Sequence, residues 1–323
     1  MKRTTLRAVS SDAKEFKAKG MHYLKQAENI SKRKTTNDRH EHINFDTKQA
    51  HSLSLIAEIR FTLLAADAFR IAGEQCWYDS AKAFAHAAAL SGDAKHDAQM
   101  AASLYTEAGV VAEKLDTCFA NDHYKSAVSQ YCNALDFKAG AMLLERMANN
   151  LGKKDDLVAS AEEFQRASKL YSAAGMVDDA NRTLERVAYF LGRTGHLIES
   201  SNAYKSLAMS HARQNTTMFN VPRYALRSII LLCLEKSSKS DLSEVQDLID
   251  EFCQEDFRFE ESHELAFVYD VVQCISCSDL DKFAFCVYSF NEIDELDDLM
   301  LELLEGLMNI VMKKEDKDYR KNL

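Results

Sequence analysis

The chain has 323 residues, 46% of them hydrophobic and 28% charged, which suits a soluble protein with an extended core or two domains. One proline and ten glycines are too few for the turns of an all-β or loop-rich fold, so the composition predicts an all-helical chain with short connections. The net charge of −10 hides a polarity: residues 1–50 carry twelve Lys or Arg against six acids, whereas residues 240–311 carry twenty acids against Arg258 and Lys282. Either the two ends meet different partners, or both are solvated faces.

In chain order, a first helix is predicted from about Ser11 to Lys32, with Asp12 and Glu15 as cap residues and Ala13, Phe16, Leu24, Ala27 and Ile30 on one side. The polar, aperiodic "KRKTTNDRHEHINFDTK" then reads as a long loop. From Ser54 to Lys313 helical periodicity hardly stops. The stretch "CWYDSAKAFAHAAAL" is dominated by small residues with a few aromatics between them, a pattern that lets one helix nest closely against another. Related segments anchor on Ala81, Ala127, Ala161 and Ser201, spaced 46, 34 and 40 residues apart, with aromatics Phe84, Phe164 and Tyr204 three residues after their anchors and Tyr131 four after. A drifting period of this size predicts an all-α, TPR-like right-handed superhelix of stacked antiparallel helix hairpins.

"LSGDAKHDA", "NNLGKKDD", "AAGM" and "GRTGH" read as turns, several of them ending in an Asp placed to cap the next helix. Pro222 suits a helix start, and beyond about Ser237 the composition shifts to Leu, Ile and acids, which predicts a C-terminal helical bundle. The expected division is an N-terminal helix and loop (1–53), a hairpin array (54–236), an acidic bundle (237–312) and a tail (313–323).

No apolar run approaches the roughly 18 residues that cross a bilayer, and "MKRTTLRAVSSDAKEF" lacks the apolar core of a secretory signal, so a cytoplasmic location is expected. The eight cysteines fall in helical patterns, where buried thiols are expected rather than disulfides. "CISC", Cys274 to Cys277, has no second CxxC to complete a zinc site and is expected on the core side of a helix. "HEH" at His40 to His42 is not HExxH, and GxxxxGK[ST] and GxGxxG do not occur. Neither a catalytic site nor a metal or cofactor is therefore expected. The acidic balance opposes nucleic acid as a partner.

Ordered along the chain, "AADAFRIAGEQCWYDSAKAFAHAAAL", "KHDAQMAASLYTEAGVVAEK", "AAGMVDDANRTLERVAYFLGRTGHLIESSNAYKSLA", "FRFEESHELAFVYDVV" and "YSFNEIDELDDLMLELLEGL" resemble segments of the soluble NSF attachment proteins. The resemblance runs from about Ala65 to Val311. It implies an adaptor without chemistry of its own, peripherally membrane-associated through its partners. Several copies grip a SNARE four-helix bundle through a basic face, and the C-terminal domain recruits the hexameric NSF-type ATPase that drives disassembly. A second reading is a helical-repeat scaffold or mimic that occupies one partner without supporting disassembly.

The resemblance places the SNARE-facing basic pair on Arg182 and Arg186, four residues apart on one predicted helix face. Spacing alone also allows a solvent-facing pair balanced by Glu185. Where the family carries two further basic residues this chain has Asp136 and Met142, with Lys138, Arg146, Arg166 and Lys169 as nearby substitutes. Family glutamates that face the ATPase fall on Gln273, Ser276 and Cys277, leaving Asp279, Asp281 and the terminal Leu323 as ATPase-binding candidates. The membrane loop of the family corresponds to Lys32, Arg33, Lys34, Ile43 and Phe45. Two apolar residues give weak lipid contact at most, and a plain polar loop is the competing reading.

Overall fold

The computed structural model describes residues 2–37, 45–93, 97–214, 217–237 and 242–321. Among them, fifteen α-helices and two short 3₁₀ turns occur, and no strand. By packing the chain divides into two compact units, residues 1–150 and 151–323.

The first unit opens with α1 (Lys2–Asn37) and α2 (Phe45–Ala72). The N-terminal helix is longer than its sequence suggests. Asp12 and Glu15 therefore lie inside it rather than at its cap, and Glu15 pairs with Lys19 at 2.7 Å. The predicted long loop is correspondingly shorter, because Lys32, Arg33 and Lys34 are good helix formers and continue α1. Phe16, Tyr23 and Leu24 pack on a core of Ala65, Phe69, Ala72 and Cys76. Gly20 meets the Phe69 ring so closely that an added Cβ would fall 2.6 Å from it. Next come α3 (Trp77–Asp93), α4 (Ala98–Ala112), α5 (Thr117–Asn133) and α6 (Phe137–Gly152), the last reaching the boundary of the unit. Each of α1 to α4 packs on its successor.

In the second unit, α7 (Leu157–Ala173), α8 (Val177–Arg193), α9 (Leu197–Ala212) and α10 (Val221–Ser237) continue the pattern of sequential pairs. The starts of α3, α5, α7 and α9, at Trp77, Thr117, Leu157 and Leu197, are each 40 residues apart. The repeat is thus regular, and the drifting spacing of the sequence alignment is corrected. Its anchors are Ala81, Asn121, Ala161 and Ser201, each followed after three residues by a buried ring, Phe84, Tyr124, Phe164 or Tyr204. Ala127 is buried too, but it repeats Ala87, and Tyr131 is only partly buried. Burying each phenylalanine of this series contributes about 1.5–3 kcal/mol.

The small residues have the role their composition suggests. A Cβ on Gly109 in α4 would sit 2.3 Å from the Tyr124 ring of α5, so only hydrogen fits between them. Buried serines bridge neighbouring helices: Ser80 donates to the Ala66 carbonyl at 2.8 Å, Ser168 to Ala180 at 2.9 Å and Ser200 to Ala188 at 2.6 Å.

The turns also repeat. Leu135, Asp155, Gly175 and Gly195 are 20 residues apart and all adopt the left-handed conformation, with φ of 59°, 64°, 73° and 80°. In each turn the next residue's N–H donates back to the helix: Asp136 to Tyr131 O, Asp156 to Leu151 O, Met176 to Tyr171 O and His196 to Leu191 O. This is a Schellman closure. Asp116, Asp136 and Asp156 then cap the following helices by accepting from the N–H groups of Phe119, Ala139 and Ala159.

Pro222 sits at the start of α10, as its fixed φ favours. This helix is buried nearly all round and packs on α9 and on the C-terminal helices α11 (Ser243–Glu255), α12 (Phe257–Glu260), α13 (His263–Cys277) and α15 (Asp298–Lys321). Between the last two lies α14 (Leu280–Asn291). One continuous apolar core runs from Ala188 through Ile229, Ile230, Phe252 and Val268 to Val311. The residues read as a tail continue α15 as far as Lys321.

Candidate adaptor surfaces

The two arginines of the central hairpin lie on α8, and both are exposed. Arg182 pairs with Asp179, one turn earlier, at 3.1 Å. Arg186 stands 5.5 Å over the ring of Phe164 on α7. Glu185, read as their balancing acid, reaches Arg227 at 3.9 Å. The Arg186 arrangement repeats, because Arg146 stands 5.4 Å over Tyr124 and Arg227 5.6 Å over Tyr204. An arginine 22 or 23 residues after Tyr124, Phe164 and Tyr204 thus covers each of these three rings, whereas Phe84 is covered by Arg70 of the preceding helix, a packing role that guanidinium stacking serves well.

Asp136 and Met142 acquire local explanations. Asp136 caps α6 through Ala139 N–H at 3.1 Å and accepts from Gln99 Nε2 at 2.9 Å. The Gln99 bond, joined by the Ala139 amide, holds its carboxyl below the usual aspartate range. Met142 is 56% exposed and occupies the position 40 residues before Arg182. Of the nearby cations, Arg146 is engaged by Glu113 as well as by Tyr124, and Arg166 pairs with Glu163 at 2.7 Å. Lys138 and Lys169 are exposed. Glu113 also receives Asn150 and Tyr124, and although burial raises its carboxyl, the bonds from Arg146 and Asn150 outweigh that and lower it.

At the acidic end, Asp279 caps α14 by accepting from Lys282 N–H at 2.9 Å, and Asp281 is exposed in the first turn of the same helix. Gln273 accepts from Lys282 Nζ at 2.6 Å, while Ser276 and Cys277 are exposed at the end of α13. CISC therefore divides. Cys274 is fully buried, and burial pushes its thiol up to about 11, but Cys277 faces out, correcting the expectation that both lie on the core side. The α13 helix ends with Ser278 in the left-handed conformation at φ 57°.

Lys32 and Arg33 are exposed near the end of α1. Lys34 and Phe45 belong to α1 and α2, with side chains outside the described residues, and Ile43 and Leu323 lie outside them altogether. No helix among the described residues is long and apolar enough to cross a membrane.

Exposed charges alone do not reveal Arg227, a buried cation of the second unit. This arginine is 7% exposed, on the helix that joins the last hairpin to the bundle. Its guanidinium bonds Asp297, which also caps α15 by accepting from Met300 N–H at 2.9 Å. The signal was a lone cation in the otherwise apolar run "YALRSIILLCL".

Residues 61–311 match the family described as Soluble NSF attachment protein, SNAP. A protein of Neurospora crassa described as a probable vesicular-fusion protein sec17 homolog is 22% identical over 249 residues, covering 76% of this chain and 82% of that protein. The all-α architecture of paired helices agrees with that match. The chain belongs to the soluble NSF attachment protein family.

Proposed function

We propose that the chain is an adaptor of vesicle fusion that binds SNARE bundles and recruits an NSF-type ATPase for their disassembly. The family match over residues 61–311 carries this reading. Charge supports it, since exposed Arg182 and Arg186 suit an acidic coiled coil and the acidic bundle suits a basic ATPase surface. In this scheme Asp279, Asp281 and Leu323 face the ATPase. Lys32, Arg33, Lys34, Ile43 and Phe45 touch lipid weakly, so the protein works in the cytoplasm at membrane surfaces. The working division is 1–53 for membrane contact, 54–236 for the SNARE grip, and 237–312 with the 313–323 tail for the ATPase.

Pull-down of the full chain with an assembled SNARE bundle and NSF at low salt tests the proposal, and absence of binding to both overturns it. Arg182→Glu is the cleaner probe of the basic face because Arg186 also packs on Phe164. It should weaken SNARE binding and flatten its salt dependence.

A second reading rests on Asp136, Met142 and Gln273, which replace charges of the family pattern. Under it the chain occupies a SNARE bundle or the ATPase without supporting disassembly. A disassembly assay separates the two: the adaptor accelerates it, and the occupying scaffold leaves it unchanged or inhibits it.

A further inference from the structure

We infer that His263, Glu264 and Asp294 form a binding site for a divalent cation of the zinc class, joining the start of α13 to the turn between α14 and α15. One donor atom from each side chain lies within 4.8 Å of the other two. The donors come from rigid pieces of the fold. His263 stacks on Phe290 with ring centroids 5.5 Å apart, and its Nδ1 lies 3.3 Å from Glu264 Oε2. Glu264 is 8% exposed, which leaves its side chain little freedom. The turn that carries Asp294 is fastened at both ends: Asp294 N–H donates to Phe290 O at 2.9 Å, Leu296 N–H to Asn291 Oδ1 at 3.0 Å, and Asp297 bonds Arg227.

Charge and donor chemistry select the ligand. Two carboxylates converge on one imidazole, and among the described residues no lysine or arginine pairs with either acid. Even a protonated His263 would leave one negative charge uncompensated, whereas a divalent ion bound to a neutral imidazole balances both. A nitrogen donor beside two oxygens favours Zn²⁺ and its neighbours over the harder Mg²⁺ and Ca²⁺, and three protein ligands leave room for water. Glu264 in the first turn also complements the α13 helix dipole. That role needs neither His263 nor Asp294, so those two side chains distinguish the readings.

The test is titration of the full-length protein with Zn²⁺ against a chromophoric competitor, repeated on His263→Ala and Asp294→Asn. The second variant is exposed and nearly isosteric, so it guards against a folding artefact. Wild type should bind one equivalent that both variants lose or bind at least about 100-fold more weakly, since even supporting groups around a metal are worth about 10–100-fold. Zinc should raise the wild-type melting temperature and leave that of the variants unmoved. Cobalt(II) should give visible ligand-field bands without thiolate charge transfer, which excludes capture by Cys118 or Cys277. Equal zinc binding by wild type and Asp294→Asn, including none by either, overturns the inference and leaves the adaptor reading untouched.

Discussion

Replacing Arg227 or its partner Asp297 should destabilise the second unit unequally, and the order follows from who is left in water. Arg227 is 8% exposed at its side chain, whereas Asp297 and Glu185 are 35% and 38% exposed. Arg227→Met keeps an apolar stem at the buried position and frees two acids that already touch solvent. The loss is therefore discounted from the ~3–5 kcal/mol of breaking a fully buried pair to about 1–2 kcal/mol. Asp297→Asn keeps an oxygen for the Met300 cap but leaves the guanidinium buried against Glu185 at 3.9 Å and the Tyr204 ring, which should cost about 3 kcal/mol. In the double variant the stranded charge is gone, so its loss should fall back toward that of Arg227→Met. Urea unfolding of the full chain by circular dichroism gives the free energies, and hydrogen exchange assigns the change to α8–α10 and the start of α15. If Asp297→Asn proves no more costly than Arg227→Met, the buried guanidinium does not depend on Asp297 and the reasoning fails.

Leu135 is 74% exposed and holds φ at 59°, where the equivalent turns 40 and 60 residues later use Gly175 and Gly195. Leu135→Gly should raise stability by about 0.5–1 kcal/mol, as relief of left-handed strain exceeds the added chain entropy; a lower melting temperature would show that the leucine makes a contact worth more than its strain. His211 is buried, bonds Thr217 Oγ1 at 2.7 Å and stacks on Tyr224 at 5.2 Å. Burial lowers its imidazole below the usual histidine range, against the pull of Glu185 and Asp178. The unfolded chain takes up this proton first, so the stability is complete above about pH 6.5 and is lost as pH falls below it. Exchange corrected for intrinsic rates should quicken around α9 and α10 between pH 7 and 5.5, and His211→Gln should remove that dependence. Asp136→Asn with Met142→Arg should tighten SNARE binding and steepen its salt dependence, since Asn still caps α6 and position 142 is exposed; unchanged binding would place α6 outside the partner's reach.

The helical class and the hairpin period of about 40 residues were legible because small residues and rings alternate at helical spacing. The register was not. Matching on small residues chose Ala127, since the true anchor is Asn121, a polar side chain in a position otherwise held by Ala or Ser. The turns were the more faithful ruler: Asp97, Asp116, Asp136 and Asp156 all cap helices, and the sequence shows each just before its helical run. Helix ends misled where polar residues are good helix formers, as at Lys32 to Lys34. CISC was half legible, because a three-residue step carries Cys277 from the buried side of Cys274 to the rim of α13, where the helix ends. Arg227 was hidden for a tertiary reason, since its partners lie 42 residues before it and 70 after it in the chain.

The repeat also changes what a basic residue means in this fold. Arg146, Arg186 and Arg227 share one task, covering the ring of the preceding helix, and they differ in what is laid over them. Arg227 is enclosed by the C-terminal helices and their Asp297, so its charge is spent inside the molecule. Arg146 is held by Glu113 yet remains 43% exposed at its side chain. A guanidinium in this register is therefore a packing device first, and a partner meets it only where no later element covers it. Arg182 stands outside the register, with its side chain 47% exposed and Asp179 one turn earlier at 3.1 Å. Surface pairs of that kind are worth little, about 0–1 kcal/mol, so an acidic partner can exchange for Asp179 at small cost. The same logic explains Asp136, whose capping bonds serve the fold at a turn where a basic side chain would supply none. On the proposed adaptor reading, charge for a partner comes from mid-helix positions such as 142 and 182, and this chain has a basic residue at only the second of them.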